Sequence, residues 1–381
     1  MIDPEELGAW QRLLETPGVG RESARKLLAA FGSPHAVIAA STAARRELVG
    51  PIQAAALATE PEALGPLLAM TQAWLKADAA EPRAVITLGD PRYPRALLNT
   101  DDPPLLLYAQ GRFELLQADA FAVVGSRNPT PQGADNARAF SHHLSDAGLS
   151  VVSGLALGID AAAHTGGLEG AASSIAVVGT GLDRVYPGRN LRLAHRIAEQ
   201  GLIISEYAPG TPALPPHFPM RNRIIAGLAR GTLVVEAALK SGSLITARLA
   251  NEAGREVFAI PGSIHNPLAH GCHRLIRDGA KLVEKARDIL EELGPLAGVH
   301  SQIPVPARVS AAAEAPDPEY DGLLAAMGYE PASIDTLVRR SGLTAEVVSS
   351  MLLILELRGD VQTVPGGLYA RRNAKNPYGS I

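Results

Sequence analysis

Residues 121–127 have the sequence Phe-Ala-Val-Val-Gly-Ser-Arg, an apolar run that ends in a glycine, a small polar residue and an arginine. The apolar part is typical of a strand buried on both faces, and the last three residues are typical of the turn that leaves it. Similar β-rich runs occur at 84–88, 150–152, 175–178, 202–205, 232–235, 256–260 and 281–283. Helical patterns separate most of them, for example at 134–147, 191–199 and 244–253. This alternation predicts a doubly wound, mostly parallel, Rossmann-like α/β sheet over residues 82–295.

Helical patterns precede the alternating region. Apolar residues recur at helical spacing between residues 1 and 80, and Thr16-Pro17-Gly18-Val19-Gly20 separates the first two helices. This pair is either a helix-hairpin-helix of the SAM-like kind, which can present backbone N–H groups to a phosphate, or a plain αα-hairpin with a glycine turn. We therefore predict a helical domain over residues 1–80 and leave its role open.

The C-terminal part of the chain has a different pattern. Residues 296–318 are rich in Pro, Ala and Val with little periodicity, which predicts a linker. Three helical stretches follow, at 320–327, 333–340 and 345–357, with Thr344 as the N-cap of the last one. Two short β-rich segments around Pro365-Gly366-Gly367 then indicate a hairpin. Three helices and a hairpin predict a winged-helix domain over residues 319–372.

Composition limits the class of protein. The chain has 381 residues, of which 46% are hydrophobic and 19% charged, so it can bury several cores. Cys272 is its one cysteine, which excludes an intrachain disulfide and favours a reducing compartment. The N-terminus lacks the pattern of a signal peptide, and no apolar run approaches the roughly 20 residues of a membrane span. We therefore expect a cytoplasmic protein.

Charge is distributed unevenly along the chain. The net charge is −4, yet residues 180–230 contain seven arginines against three acidic residues. Residues 314–381 contain six basic against nine acidic residues, and the predicted recognition helix begins Thr344-Ala345-Glu346. An acidic residue at that position faces phosphates poorly. We therefore expect an anion site in the Rossmann-like core and a protein-contact or regulatory role for the winged helix, with DNA contact through Arg339-Arg340 as the alternative.

Small residues follow several of the predicted strands. They are Gly125-Ser126-Arg127, Ser153-Gly154, Gly179-Thr180-Gly181 and, at a helix start, Ser241-Gly242-Ser243. The carboxyl ends of parallel strands meet at one edge, and glycines there let backbone N–H groups approach an anion. Together with the Arg221–Arg223 pair, these loops predict a site for a polyanion.

Known cofactor and catalytic motifs are absent from the sequence. There is no Walker loop, and Arg184 stands where a dinucleotide fingerprint needs its third glycine. The histidines do not have the spacing of metal ligands or of a catalytic set. One enzymatic alternative stays open, a nucleoside-phosphate-processing enzyme that would use Glu236 beside Ser241-Gly242-Ser243.

A series of short motifs follows the strands in a characteristic order. The series comprises Gly125-Ser126-Arg127, residues 153–160 (SGLALGID), residues 179–183 (GTGLD), Tyr186-Pro187, Asn190, Ser205-Glu206-Tyr207, Phe218-Pro219, residues 221–228 (RNRIIAGL), residues 241–247 (SGSLITA) and residues 257–262 (VFAIPG). This series, with its helical and winged-helix flanks, resembles the DNA-processing protein A family, also called Smf. The family often has a basic residue directly after the Tyr-Pro pair, whereas this chain has Gly188 there and Arg189 one position later.

The resemblance implies a function without catalytic residues, cofactor or metal. A member of this family is expected to bind single-stranded DNA without sequence choice, to form a homodimer through the Rossmann-like domain, and to load the RecA recombinase onto the strand during natural transformation. The predicted DNA-binding residues are Gly125, Ser126, Arg127, Ser153, Gly154, Gly179, Gly181, Arg189, Asn190, Arg221, Asn222, Arg223, Ser241, Gly242, Ser243 and Thr246.

Overall fold

The N-terminal helices form a small core against one edge of a sheet. The computed structural model describes residues 2–294, 318–327 and 331–371. Its first elements are α1 (Pro4–Glu15), α2 (Arg21–Phe31), α3 (Pro34–Ala39), α4 (Thr42–Arg46), α5 (Pro51–Ala56) and α6 (Leu64–Lys76). Leu13, Leu27 and Trp74 are buried in the same cluster as Leu106 and Tyr108, which lie in the sheet. The helices therefore pack directly on the strands that follow, and the predicted domain boundary near residue 80 stays a prediction.

In the part of the chain that the structure describes, the central sheet has nine strands. They are β1 (Arg83–Thr87), β2 (Leu106–Gly111), β3 (Ala120–Val124), β4 (Ser150–Ser153), β5 (Ser174–Val178), β6 (Leu202–Ser205), β7 (Gly231–Val234), β8 (Glu256–Ala259) and β9 (Lys281–Leu282). Their order is β1-β2-β6-β5-β4-β3-β7-β8-β9. The strands from β6 to β9 in this order are parallel, whereas β2 pairs antiparallel with both β1 and β6. The predicted α/β class is confirmed, with an antiparallel edge.

The prediction omitted strand β2. Residues 105–111 (LLLYAQG) are as apolar as the strands that were identified, and all but Gln110 are buried. No helical pattern of normal length separates β2 from β1, because only α7 (Arg95–Leu98) lies between them. The alternation on which the prediction relied is therefore absent at this edge, where antiparallel pairing needs no crossover helix.

Helices cover both faces of the parallel strands. They are α8 (Pro131–Asp146), α9 (Ile159–Glu169), α10 (Leu191–Gln200), α11 (His217–Leu228), α12 (Ser243–Glu252), α13 (His270–Arg277) and α14 (Ala286–Leu293). Strands β3 to β7 are buried along their whole lengths, which explains their continuous apolar sequences. The strand order reverses at β3, whose neighbours are β4 and β7. The crevice outside the carboxyl ends of β3 and β7 is therefore the switch point at which such sheets bind ligands.

The last described elements form the winged helix. They are α15 (Pro318–Met327), α16 (Ile334–Ser341), α17 (Ala345–Leu357) and the hairpin β10 (Val361–Val364) and β11 (Leu368–Arg371). Thr344 caps α17, as predicted, since its side chain accepts a hydrogen bond from the backbone N–H of Val347. The predicted linker lies outside the described residues except for Pro318. Among the helices in the described ranges, none is long and apolar enough to cross a bilayer.

Candidate nucleic-acid interface

The loops after β3, β4 and β7 are joined by backbone hydrogen bonds. Ser126 N donates to the carbonyl oxygen of Glu236 at 2.7 Å, and Ile159 N donates to the carbonyl oxygen of Ser126 at 3.0 Å. Gly125 fits tightly here, because a Cβ at this position would lie 2.7 Å from Ile159 Cγ1 and 2.9 Å from the Glu236 oxygen. The predicted convergence of Gly125 and Ser126 with the loop after β4 is therefore present.

The loop over residues 153–158 is held by side chains of the protein itself, and we call it the clamped loop. Asp160 Oδ2 accepts hydrogen bonds from Gly154 N at 3.1 Å and from Ala156 N at 3.3 Å. Ser153 Oγ donates to the carbonyl oxygen of Val123 at 2.7 Å. The buried Asp160 carboxylate thus occupies the place that the sequence suggested for a phosphate.

Two further buried residues hold Leu155 in the clamped loop. His164 Nε2 accepts from Leu155 N at 3.2 Å, while Asn190 Nδ2 donates to the carbonyl oxygens of Leu155 at 2.9 Å and Ala156 at 3.1 Å. Leu155 has a φ of 58°, which is uncommon for a residue with a side chain and needs such support. Asn190 was predicted to bind DNA, and its buried amide instead contacts this loop.

The protonation state of His164 follows from its partners. Its Nδ1 lies 2.7 Å from Ser174 Oγ, which donates to the carbonyl oxygen of Val151 at 2.8 Å. Nδ1 therefore donates and Nε2 accepts, which is the pattern of a neutral ring. Burial, with a smaller contribution from the Arg221 guanidinium, lowers the pKa of His164 to about 3. Burial also raises the pKa of Asp160, although Arg221 and the backbone N–H groups oppose that shift.

Arg221 lies beneath the surface of the interface. It is 5% exposed, and its Nη1 donates to the carbonyl oxygen of Val177 at 2.5 Å. A Cβ at Gly154 would overlap the guanidinium, which explains the glycine there. Burial lowers the pKa of Arg221 to about 10, although the Asp160 carboxylate opposes this, so the side chain keeps its charge at neutral pH. Arg221 therefore supplies a buried positive charge rather than an exposed contact.

Aromatic and basic side chains lie at the surface above this charge. The Arg127 guanidinium carbon is 5.8 Å from the centre of the Phe218 ring, and the Tyr186 ring is 5.6 Å from the same ring. Tyr186 is 52% exposed, and Arg127 and Arg189 are also exposed. Within the described residues neither arginine has an ion-pair partner. We call Arg127, Tyr186 and Phe218 the open face, and we include Arg189 because it follows Tyr186 by three positions in the chain.

The rings extend along the start of α11. Tyr207 and His217 stack with their centres 3.9 Å apart, and His217 Nδ1 donates to the carbonyl oxygen of Gly179 at 3.1 Å. Gly179 itself packs against Phe218, since a Cβ there would lie 3.3 Å from the ring. Sequence reasoning placed these rings in motifs but missed them as site residues. The available indication was an aromatic next to basic residues in a chain with only 4% aromatics.

Thr180 and Gly181, the other residues of the 179–181 loop, also form hydrogen bonds within the protein. Gly181 N donates to the carbonyl oxygen of Thr211 at 3.0 Å, and Ser205 Oγ donates to the Thr180 oxygen at 2.6 Å. A Cβ at Gly181 would lie 2.5 Å from the Ala208 oxygen. This glycine therefore allows two loops to approach closely, and its N–H group is already satisfied.

Arg223 pairs with carboxylates of the protein itself. Its Nε is 2.7 Å from Asp102 Oδ2 and its Nη2 is 2.6 Å from Glu206 Oε1, and its side chain is only 12% exposed. Asn222, between the two arginines, is half-buried. The structure thus separates the predicted Arg221–Arg223 pair, with one guanidinium under the interface and the other in an ion-pair cluster.

The Ser241-Gly242-Ser243 turn starts α12 on the β7–β8 side of the sheet. Ser241 Oγ and Ser243 Oγ are 2.7 Å apart. Ser241 and Gly242 line a groove of about 750 Å³ that also includes Lys240, Arg248 and Arg274. Thr246 is buried in the helix. Helix α12 packs against α11, which carries Phe218. The role predicted for Ser241, Gly242, Ser243 and Thr246 in DNA binding stays a prediction.

Glu236, the candidate acid of the enzymatic alternative, holds Thr130, the N-cap residue of α8. Its Oε2 accepts from Thr130 N at 2.9 Å and its Oε1 accepts from Thr130 Oγ1 at 2.5 Å, at the start of α8. A Cβ at Gly133 would overlap the carboxylate. Both oxygens are therefore engaged in holding the helix. Among the described residues no group of His, Cys, Asp and Glu has the arrangement of a metal site.

The fold and this interface define a class of protein: a Rossmann-like core with arginines and aromatic rings at its switch point, joined to a winged helix. Residues 84–294 match the family model described as DNA recombination-mediator protein A, and residues 306–367 match the DprA winged helix domain. The first match covers more than half of the chain. The chain therefore belongs to the DNA-processing protein A (DprA, or Smf) family, as its motifs indicated.

Relatives with this fold are found in several bacteria. Protein Smf of Escherichia coli is 44% identical over 285 residues, which are 74% of this chain and 76% of the relative. The crystal structure of DNA processing protein A from Streptococcus pneumoniae has a TM-score of 0.65 at 38% identity and covers 76% of this chain and 98% of that one. A Helicobacter pylori structure, described as showing a unique single-stranded DNA binding mode, has a TM-score of 0.51 at 30% identity and covers 55% of this chain and 95% of that one.

Proposed function

We propose that this protein binds single-stranded DNA without sequence choice through the open face. The observation that carries the proposal is the Phe218 ring, flanked by the Tyr186 ring and by the Arg127 guanidinium. Single-strand binders combine rings on which bases stack with cations that follow the phosphates. The Helicobacter pylori relative is described as binding single-stranded DNA, which supports the same activity here.

Exposed and buried arginines have different roles in the proposed site. Arg127 and Arg189 are exposed and free of ion pairs in the described residues, so their guanidinium groups can reach phosphate oxygens. The buried Arg221 charge lies close enough to Arg127 to be felt electrostatically and adds to the positive potential below the face. Gly125, Ser126, Ser153, Gly154, Gly179 and Gly181 then act as the scaffold that places these side chains. Because every base has an aromatic face, stacking on Phe218 and Tyr186 explains binding without sequence choice.

Our proposal includes the partners that the family implies. The matching family model is described as a recombination mediator, which supports delivery of the bound strand to the RecA recombinase during natural transformation. We include homodimerisation through the Rossmann-like core on the same basis. We also propose that the protein acts without catalysis. The nucleoside-phosphate alternative is disfavoured because the Glu236 carboxylate already accepts two hydrogen bonds from Thr130.

The test removes the Phe218 ring from the protein and, separately, the bases from the DNA. Affinity of the full chain is measured for an oligo-dT and for an abasic oligomer of the same length. For Phe218→Ala we expect a loss of about 1–3 kcal/mol on oligo-dT, the size of one stacked base. Affinity for the abasic oligomer should stay within about twofold, since the phosphate contacts are intact.

Phe113→Ala is the matched control. Phe113 has an arginine, Arg92, at the same 5.8 Å from its ring, but it lies in the 3-10 helix Phe113–Gln117, away from the loop cluster. We expect this variant to bind both oligomers like the parent protein. Equal affinity of the parent protein for oligo-dT and the abasic oligomer would contradict stacking. An equal loss on both oligomers in Phe218→Ala would show that the ring serves the fold alone.

A further inference from the structure

The N-terminal helices contact the segment that carries the rings. Residues 206–216 connect β6 to α11, with Tyr207 near one end and His217 and Phe218 directly after the other. Ala208 of this connection packs against the core of the N-terminal helices. Gly210 lies against Met70 of α6, since a Cβ there would lie 2.5 Å from Met70 Sδ. The connection therefore lies against the N-terminal helices.

A cluster of five charged residues ties α2 to both ends of this connection. Arg21 Nη2 is 2.9 Å from Asp102 Oδ2, and Arg21 Nη1 is 3.6 Å from Glu206 Oε2. Arg25 also pairs with Asp102. Arg223 completes the cluster with its bonds of 2.7 Å to Asp102 and 2.6 Å to Glu206. Glu206 directly precedes Tyr207, and Arg223 lies in α11 beyond Phe218.

The five charged side chains of the cluster are largely shielded from solvent. The side chains of Arg223 and Glu206 are 12% and 13% exposed, and those of the other three residues are 22–30% exposed. Half-buried ion pairs contribute little net stability, because desolvation offsets the attraction, but breaking one leaves a charge unpaired. Such a cluster permits few arrangements of its members. It therefore restrains Glu206 and the first turns of α11 relative to each other.

We infer that Arg21 and Arg25 are positioning residues for the aromatic part of the DNA site. Arg21 holds Glu206 directly, and Arg21 and Arg25 hold Arg223 through Asp102. These contacts keep Tyr207, His217 and Phe218 in place relative to Arg127. The inference rests on the proposed function, because it concerns the stacking of bases on the rings. It gives the N-terminal helical region a role, which is to brace the ring-bearing segment.

The test compares base-dependent with phosphate-dependent binding in the full chain carrying Arg21→Gln and Arg25→Gln together. Affinity for oligo-dT should fall about fivefold to tenfold, a part of one stacking contribution. Affinity for the abasic oligomer and the dependence of binding on salt should not change, since Arg127 and Arg189 are untouched. The conservative pair Arg21→Lys and Arg25→Lys keeps the charges and should restore most of the loss.

Lys26→Gln is the matched control on the same helix. Lys26 pairs with Glu22 on the exposed side of α2, so its loss should leave both affinities unchanged. The single variant Arg25→Gln, which keeps Arg21 on Asp102 and Glu206, should show a smaller loss of the same kind and serves if the double variant fails to fold. Unchanged oligo-dT binding in the glutamine variants would overturn the inference, as would an equal loss on both oligomers. Failure of the proposed function differs from both, because the parent protein itself would then not distinguish oligo-dT from the abasic oligomer.

Discussion

The clamped loop and the open face lie next to each other but have opposite relations to solvent. In the clamped loop the N–H groups of Gly154, Leu155 and Ala156 bond to Asp160 and His164, so the loop is complete without a ligand. On the open face Arg127 and Tyr186 are exposed, and the Arg127 guanidinium has no carboxylate partner in the described residues. A glycine-rich strand end can therefore support the residues of a site without itself contacting the ligand. Substitutions in the loop should then affect folding, and substitutions on the face should affect binding.

The largest effect should come from Gly158→Ala, where the two regions meet. Gly158 has a φ of 79° and a ψ of −125°, which only glycine adopts readily, and a Cβ would overlap the backbone oxygen of Ser126. We expect a loss of about 3 kcal/mol in the free energy of unfolding, from backbone strain and overpacking together. Urea denaturation followed by circular dichroism measures it. Gly188→Ala, with open space around the position, should change stability by less than about 0.5 kcal/mol. Equal losses of stability in Gly158→Ala and Gly188→Ala would contradict this difference between the two regions.

The clamped loop should also make stability depend on pH. The pKa of His164 is about 3 in the folded protein and about 6.5 when unfolded, so between these values the unfolded chain binds a proton that the native state does not. The stability contributed by the neutral ring is complete above about pH 6.5 and is lost as the pH falls towards 3, by up to about 1.4 kcal/mol per pH unit. Unfolding at pH 7.5, 6.5, 5.5 and 4.5 measures the slope. His164→Gln should flatten it, whereas His195→Gln, at an exposed site on α10, should not; identical slopes in all three proteins would contradict the clamp.

The winged helix should have the smallest effect on DNA binding. Its arginines Arg339 and Arg340 lie at the end of α16, and Glu346 lies in the first turn of α17. We expect Arg339→Gln with Arg340→Gln to change the affinity for single-stranded DNA by less than about 0.5 kcal/mol, and removal of residues 299–381 to change it by no more than a few-fold. Gel-shift titrations on matched single and double strands measure both. A loss of more than about tenfold, or 1.4 kcal/mol, would place the DNA in the other domain.

The sheet could be predicted because each strand is marked by features of a short stretch of sequence. Eight of the nine strands follow from apolar runs and small residues at their ends, and the missed strand β2 lies where no helix alternates with it. The carboxyl-edge loops were found for the same reason. The motif 153–160 contains both the glycine loop and the Asp160 that fills it, and composition alone does not reveal that the N–H groups are already bonded.

The side-chain partners could not be predicted in the same way. Arg223 and Asp102 are 121 positions apart in the chain, so the sequence does not reveal that an arginine predicted to bind phosphate belongs to an internal ion-pair cluster. Arg221 looked equivalent to Arg223 in the sequence, yet the fold buries it under Gly154. The local excess of arginines in residues 180–230 is therefore only partly exposed. Burial and long-range pairing, which depend on topology, decide which charges are exposed.

The salt dependence of single-strand binding tests whether Arg127 contacts phosphates at the open face. Each phosphate contact contributes about 0.7 to the slope of log affinity against log salt for single strands. We predict that Arg127→Ala weakens binding to oligo-dT by about 1–3 kcal/mol and lowers this slope by about 0.7. Arg223→Gln should leave the slope unchanged even where affinity falls, because its guanidinium pairs with Asp102 and Glu206. A folded Arg127→Ala protein with the parent slope and affinity, or a flattened slope in Arg223→Gln alone, would show that the DNA does not bind at the open face.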